Sequence, residues 1–460
     1  MPRLNPSNWP INLCLLSLFL VTAWWQLGFF PGGMHEDDAF FYFQIARNIA
    51  ETGRASFDGT DLTNGFHPLW MGLLGLGTMG FAAVGIPPEA ALILAAALPL
   101  AALGALCHPI FFAMVLAAAY LCGFGMEGVL GAVLFLAFAR AADLRRTAWV
   151  AGLSALIVMT RIDFSLCLVI YAIWFMGSRR KQAIAIVAGI GIGVLATILI
   201  NDALVGAFFS VSSAQKAALA RHLAGVDLLF DNLSSPGNMV RLGLWLGALG
   251  MLALMRPLPG PRQAPVLLHP VFHLGLAAFL MMHATASFLR DWYFAAPVMV
   301  ALVAAAQLRV WGRHLAPGMI LCLALPLAGI AFQMGRFAEA SAGYAQFLDD
   351  LPPGEGPIFA YDGSGYAAFR LHPVPVINGD GLVNTPEFAR NAHDPEWLAA
   401  YLDTRGVRRF LTNPGYTACV TPSHCCADAA VEEIADWRST HPYLANRLWR
   451  FRGQACLPAQ

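Results

Sequence analysis

MHEDDAFFYFQIARNIAETGRASFDGTDLTNGFHPLW, residues 34–70, decides how the rest of the chain is read. It gathers Glu36, Asp37, Asp38, Arg47, Arg54, Asp58, Asp61 and His67 into one window of a chain that is 58% hydrophobic and 12% charged. Ionisable groups at a membrane boundary are costly unless they pair or carry function. The window therefore reads as an active site, with the surrounding apolar segments as its scaffold. Within it, residues 38–52 have the apolar spacing of a helix (Phe41, Ile45, Ile49), stopped by Gly53. Such a helix is suited to lie along a membrane surface.

Working outward, residues 11–30 form an uncharged run long enough to span a bilayer, with no small-residue cleavage site after it. Further apolar spans are expected at 66–86, 89–106, 126–140, 148–160, 162–177, 183–204, 238–255, 268–289, 293–308 and 316–334. A mean hydropathy of +0.60 agrees with a polytopic membrane protein of about eleven transmembrane helices. Positive residues orient the map. Arg140 with Arg145 and Arg146, Arg179 with Arg180 and Lys181, Arg256 with Arg262, and Arg309 with Arg313 mark inner loops. Asp37, Glu127, Arg161, the 205–237 loop, Arg290 and the C-terminal region then fall outside, with the N-terminus in the cytoplasm. Parity is kept by letting residues 109–124 dip in and return.

The expected division is a membrane domain over 1–334, with its first external loop at 31–66, and a soluble external domain over 335–460. In the latter, 357–363, 374–380 and 408–414 read as strands, while 386–406 and the stretch after Asp428 read as helices, an α/β pattern. Nine cysteines divide between apolar segments and a late group, Cys419, Cys425, Cys426 and Cys456, that would suit disulfides in an oxidising compartment. A net charge of zero gives no electrostatic case for nucleic acid.

Neighbouring carboxylates in a partly desolvated loop suit a general base, a divalent cation (Mg, Mn or Ca), or the N-terminal cap of the following helix. The resemblance that separates these readings is carried by HEDDAFFYFQIARNIAETG followed by TNGFHPLW. Together they resemble the first external loop of the GT-C glycosyltransferases, polytopic enzymes that take a sugar from a polyprenyl-phosphate carrier. That family's hallmark is an acidic pair just after the first transmembrane helix, and Asp37 and Asp38 stand there. The resemblance implies Asp37 as base or acceptor-binding residue, with Asp38 in place of a frequent Glu. GFGMEGVL (123–130), TRID (160–163), FFSVSSAQK (208–216), RDWYFAAP (290–297) and VINGDGLVN (376–384) are similar to segments of a bacterial, arabinofuranosyltransferase-like branch. Gly128 replaces the usual Thr and Ile162 the usual Pro.

What this implies is a transferase of the bacterial inner membrane that acts on its periplasmic side. Its donor is a polyprenyl-phosphate sugar, and its acceptor a glycan, lipid or protein hydroxyl. Candidate binding residues are Glu36, Arg47, His67, Glu127, Arg161, Lys216, Arg290, Tyr293 and Asp380, most with a plainer reading. Glu127 reads equally as a satisfied helix-end carboxylate, and Arg161 as a partner of Asp163. Lys216 and Arg290 suit ordinary lipid headgroups, while Trp292 and Tyr293 suit an interfacial belt. His67 suits a helix cap, and Asp362, Asn378, Asp380 and Asn384 suit turn chemistry. GIGIGV (189–194) lies inside a span and reads as close helix packing; His269 and His273 lack a third metal ligand. A transporter or flippase of lipid-linked saccharides is the competing class, although no inverted repeat is visible.

Overall fold

The computed structural model describes residues 8–27, 35–216, 226–254, 265–286, 289–306, 344–352, 354–360, 363–392, 394–412, 431–436 and 447–451. Helices make up most of the described residues up to 306. They are α1 (Trp9–Gln26), α2 (Asp37–Thr52), α3 (Pro68–Ala83), α4 (Pro88–Gly104), α5 (Pro109–Leu121), α6 (Gly128–Asp143) and α7 (Thr147–Thr160). They continue as α8 (Ser165–Met176), α9 (Arg180–Val205), α10 (Val226–Ser234), α11 (Pro236–Leu254), α12 (Pro270–Ala286) and α13 (Ala295–Ala306). Pro68, Pro88 and Pro109 open their helices, where a missing N–H has no intrahelical partner to lose. Gly53 closes α2 in the left-handed conformation, φ 73°, as its place after the apolar pattern suggests. The expected span at 316–334, Asp362 and the four late cysteines lie outside the described residues.

Helix α9 packs along α7 through Gly189 and Gly193. A Cβ on either would run into the backbone of Ala151 or Ala155. Close packing through small residues is therefore what the GIGIGV run provides. The bundle interior is aromatic: Tyr171 stacks on Phe272 at 4.8 Å, and Phe164 lies against Phe279 at the same separation.

One expectation about topology is corrected. Asn12, near the start of α1, donates to the carbonyls of Gly104 and Cys107 at 2.8 and 3.0 Å. Gln26, at the end of α1, donates to the Tyr120 hydroxyl at 3.0 Å. Helix α5 thus accompanies α1 from end to end as one helix, in the same direction, and does not dip and return. Helix α3 keeps to α2. It runs beside α2, with Gly75 against Ile49, and the α4 that follows carries Glu89 in its first turn, paired with Arg47 of α2 at 2.8 Å. Both ends of α3 therefore stay with α2. Hydropathy alone could not show this, because apolar helices read alike whatever their direction and neighbours.

The C-terminal part is a five-stranded sheet of β1 (Ile358–Ala360), β2 (Val376–Asn378), β3 (Arg409–Thr412), β4 (Val431–Asp436) and β5 (Arg447–Phe451), ordered β2-β1-β3-β5-β4. β1 is parallel to β2 and to β3, whereas β5 is antiparallel to β3 and β4. Between the strands lie α14 (Ser364–Leu371), α15 (Pro386–Asn391) and α16 (Pro395–Thr404). The 386–406 stretch is two helices because Asp394 caps a new one, accepting from the amides of Glu396 and Trp397. The expected helix after Asp428 is corrected too: VEEIAD and RLWRF are strands. Pairing on a sheet edge overrides the helical preference of two adjacent glutamates.

Candidate active site

Helix α14 lies along α2 and fixes the acidic loop. The Tyr366 amide donates to Asp37 Oδ1 at 2.9 Å, the guanidinium of Arg47 donates to the Phe369 carbonyl at 3.2 Å, and His372 meets Glu51 at 3.3 Å. The edge-on contact of Phe40 with Tyr366, 5.0 Å between centroids, fills the seam. Arg47 is buried and occupied by Glu89, by that carbonyl and by the Phe369 ring, 4.4 Å away. It holds α2, α4 and α14 together and does not line the cleft described below.

Burial pushes the Asp37 carboxyl up to about 8, against the lowering pull of the Tyr366 amide; the charges of Asp38 and Asp380 act in the same direction as burial. Glu36 turns the other way. Burial and the neighbouring Asp291 carboxylate raise it to about 8, opposed by Arg241 and Arg290. Arg241 in turn pairs with Asp291 and donates to the Leu121 carbonyl at 2.6 Å. Arg290 stands exposed at the head of the 3₁₀ turn Asp291–Phe294.

Beside Asp37 opens a narrow cleft. Asp38, Tyr42, His67, Glu127, Lys216 and Trp292 line it, with Ser210 and Ser212 at one side and Leu382 and Val383 at another. Lys216 Nζ lies 3.8 Å from Asp38. The TNGFH turn assembles these walls. Asn64 accepts from the Val211 amide at 3.0 Å and donates to the Phe209 carbonyl at 3.1 Å, while the Thr63 hydroxyl donates to Asn384 O at 2.9 Å. Gly65 lets Leu382 and Val383 approach where any Cβ would collide. Asn378 is spent on the turn itself, donating to Ser364 Oγ at 2.7 Å and accepting from Leu382 N at 3.0 Å.

Under the cleft runs a charged array. Glu127 is fully buried; its Oε1 accepts from Arg161 and lies 3.7 Å from His67 Nε2. Arg161 also grips Asp163 through two bonds, at 2.9 and 2.6 Å. Asp163 meets His283 at 2.8 Å, and Tyr293 stacks on His283 at 4.0 Å while receiving the Arg161 guanidinium on its face at 4.6 Å. Burial lowers His67 to about 4, against the pull of Glu127, so its imidazole is neutral near pH 7. Arg161 thus spends its donors on two carboxylates, and Tyr293 is an inner member of the array, not a belt residue at the lipid surface.

Of the sequence candidates, Asp38, His67, Glu127 and Lys216 meet in the cleft. Asp37 and Asp380 sit together beside it, Arg161 and Tyr293 beneath it, and Glu36 and Arg290 form an adjoining cluster. Tyr42, His283, Arg241 and Asp291 were missed. Only the isolation of His283 and Arg241 within apolar runs could have marked them.

No family model matches the sequence, and no curated protein matches it. Among solved structures the chain is similar to ArnT from Cupriavidus metallidurans, crystallised bound to undecaprenyl phosphate. The TM-score is 0.58 at 15% identity, over 97% of this chain and 99% of that one. The apo crystal structure of the same protein aligns with a TM-score of 0.57 at 13% identity, over 97% of this chain and 98% of that one. The chain therefore shares the fold of that protein over nearly the whole length of both.

Proposed function

We propose that the protein is a membrane glycosyltransferase. It moves a sugar from a polyprenyl-phosphate carrier to a hydroxyl of a cell-envelope glycan, lipid or protein. The reaction takes place on the periplasmic side of the bacterial inner membrane. The observation that carries this reading is the convergence of Asp38, His67, Glu127 and Lys216 in one cleft beside Asp37. It occurs in a fold whose ArnT representative was crystallised with undecaprenyl phosphate.

In this reading Asp37 is the general base. The Tyr366 amide fixes one of its oxygens, which orients the carboxylate. The acceptor oxygen gives its proton to Asp37 and attacks the anomeric carbon from the face opposite the carrier. The bond from that carbon to the carrier phosphate breaks, and the configuration inverts. The phosphate leaves with the bonding pair, so its negative charge grows in the transition state. Lys216, with the Ser210 and Ser212 hydroxyls on the same wall, stabilises that charge. Arg290 adds a longer-range positive field. A divalent cation, if used, would take Asp37 or Asp38 together with substrate oxygens. Among the described residues no group of three His, Cys, Asp or Glu side chains comes together to hold one, and no step is assigned to it.

The test is transfer by purified protein from a panel of undecaprenyl-phosphate sugars, comparing wild type with Asp37→Asn and Asp38→Asn. Loss of the base lowers turnover by roughly 10²- to 10⁴-fold in Asp37→Asn, while donor binding persists. No turnover with any donor, together with movement of saccharide lipids across proteoliposomes, would move the protein to the flippase class.

A further inference from the structure

Resting on that reading, the structure also points to what recognises the sugar. Glu127 is 0% exposed and lines the cleft. Its two oxygens are treated differently. Oε1 takes the Arg161 guanidinium and the approach of His67, whereas Oε2, equally buried, has no hydrogen-bond partner among the described residues. Leaving an acceptor of a buried carboxylate bare is costly, and the cost is largest for a charged group. The bare oxygen is joined by a second observation, the place of Glu127 in the wall of the cleft.

The surroundings restrict what completes it. Arg161 is already held by Asp163, which is held by His283, which stacks on Tyr293. This chain of contacts keeps the Glu127 carboxylate from turning to seek another donor. The cleft side offers Tyr42, Phe66, Met126 and Trp292, a mixture of apolar and aromatic surface that suits the C–H face of a sugar ring. A phosphate is the wrong chemistry for Oε2, since both groups are acceptors and both are negative. An O–H donor is the right one.

We propose that Glu127 Oε2 accepts a hydrogen bond from a hydroxyl of the donor sugar, so that Glu127 distinguishes a loaded carrier from a bare one. Phosphate recognition and sugar recognition are then separate, with Lys216 serving the first and Glu127 the second. The neutral amide of Glu127→Gln keeps the volume of the side chain but weakens the acceptor. It also presents an N–H₂ that cannot accept.

Binding of full-length protein in nanodiscs tests this, with bare undecaprenyl phosphate and with undecaprenyl-phosphate-linked hexoses and pentoses as probes. Wild type binds at least one sugar-bearing lipid about 10- to 100-fold tighter than the bare lipid. Glu127→Gln loses that preference, yet binds bare undecaprenyl phosphate within about twofold of wild type, the scatter expected where no contact is lost. A second measurement needs no variant to fold. With the preferred sugar, removing one ring hydroxyl at a time from the lipid abolishes the advantage at a single position in wild type. A preference that survives in Glu127→Gln overturns the proposal, as does a wild type that binds bare and loaded carriers alike; in both cases the transferase reading stands. A wild type that binds neither lipid overturns both readings.

Discussion

Two neighbouring aspartates with the same chemistry end in different surroundings, and the difference is testable. Asp38 faces Lys216 across the cleft, whereas Asp37 is drawn under α14 and its carboxyl rises to about 8. As the base, Asp37 must be ionised, so kcat/KM rises about tenfold per pH unit below pH 8 and levels off above it. A limb that levels off near pH 4 would remove Asp37 from that role. Stability moves the other way. A carboxyl whose folded pKa lies above its unfolded value near 3.8 favours the folded state at low pH, and this contribution is lost as pH rises towards 8. Asp37→Asn still accepts from the Tyr366 amide but never ionises. It should therefore melt with wild type near pH 4 and increasingly above it as pH rises to 8, while being inactive. A lower melting point at pH 8 contradicts the burial argument. The acidic pair was legible from its place after the first apolar run. Which carboxyl would be held by α14 was not, because that helix lies more than three hundred residues later.

At the scale of elements, α2 was legible almost to the residue, since its apolar spacing and Gly53 are local signals. The TNGFH turn was legible as a motif but not as a joint. Its contacts run to 208–216 and to 382–384, segments joined only by the tertiary fold. Gly65 is the tightest point of that joint. A Cβ there would run into the Leu382 carbonyl and come within 2.8 Å of Val383 Cα, so backbone must move. Gly65→Ala should cost about 1–3 kcal/mol, read as a lower midpoint in thermal unfolding. It should also weaken donor binding, because Leu382 and Val383 form one wall of the cleft. Unchanged stability and binding would show that this approach does not shape the cleft. The strands after residue 430 were misread for a comparable reason: two glutamates speak for a helix until a partner strand is available.

At the scale of the molecule, the number of apolar runs was legible, but which of them cross the bilayer was not. Hydropathy assigns α3 and α4 as a crossing pair and leaves α5 to return. The hydrogen bonds instead carry α5 along α1, from Asn12 with Cys107 to Gln26 with Tyr120. They keep the start of α4 beside α2 through Arg47 and Glu89. Both arrangements put Glu127 and the cleft on the same side, so the site does not depend on the choice, but two loops exchange sides. In the hydropathy map, residues 84–87 are cytoplasmic and 105–108 periplasmic; in the contact map the reverse holds. Val84 and His108 are both exposed, which makes them suitable reporters. In intact cells, a membrane-impermeant maleimide should label Val84→Cys above the parent protein with its native cysteines, and should leave His108→Cys at the parent level until the cells are opened. Arg54→Cys and Ser178→Cys, exposed residues assigned outside and inside by both maps, calibrate the two limits. The opposite pattern at Val84 and His108 would restore the returning α5. It would then require the bonds of Asn12 and Gln26 to join residues at one depth, although they sit fourteen residues apart on α1, about 21 Å along a helix. That distance is most of the roughly 30 Å hydrocarbon thickness, and it is the reason the contact map is preferred.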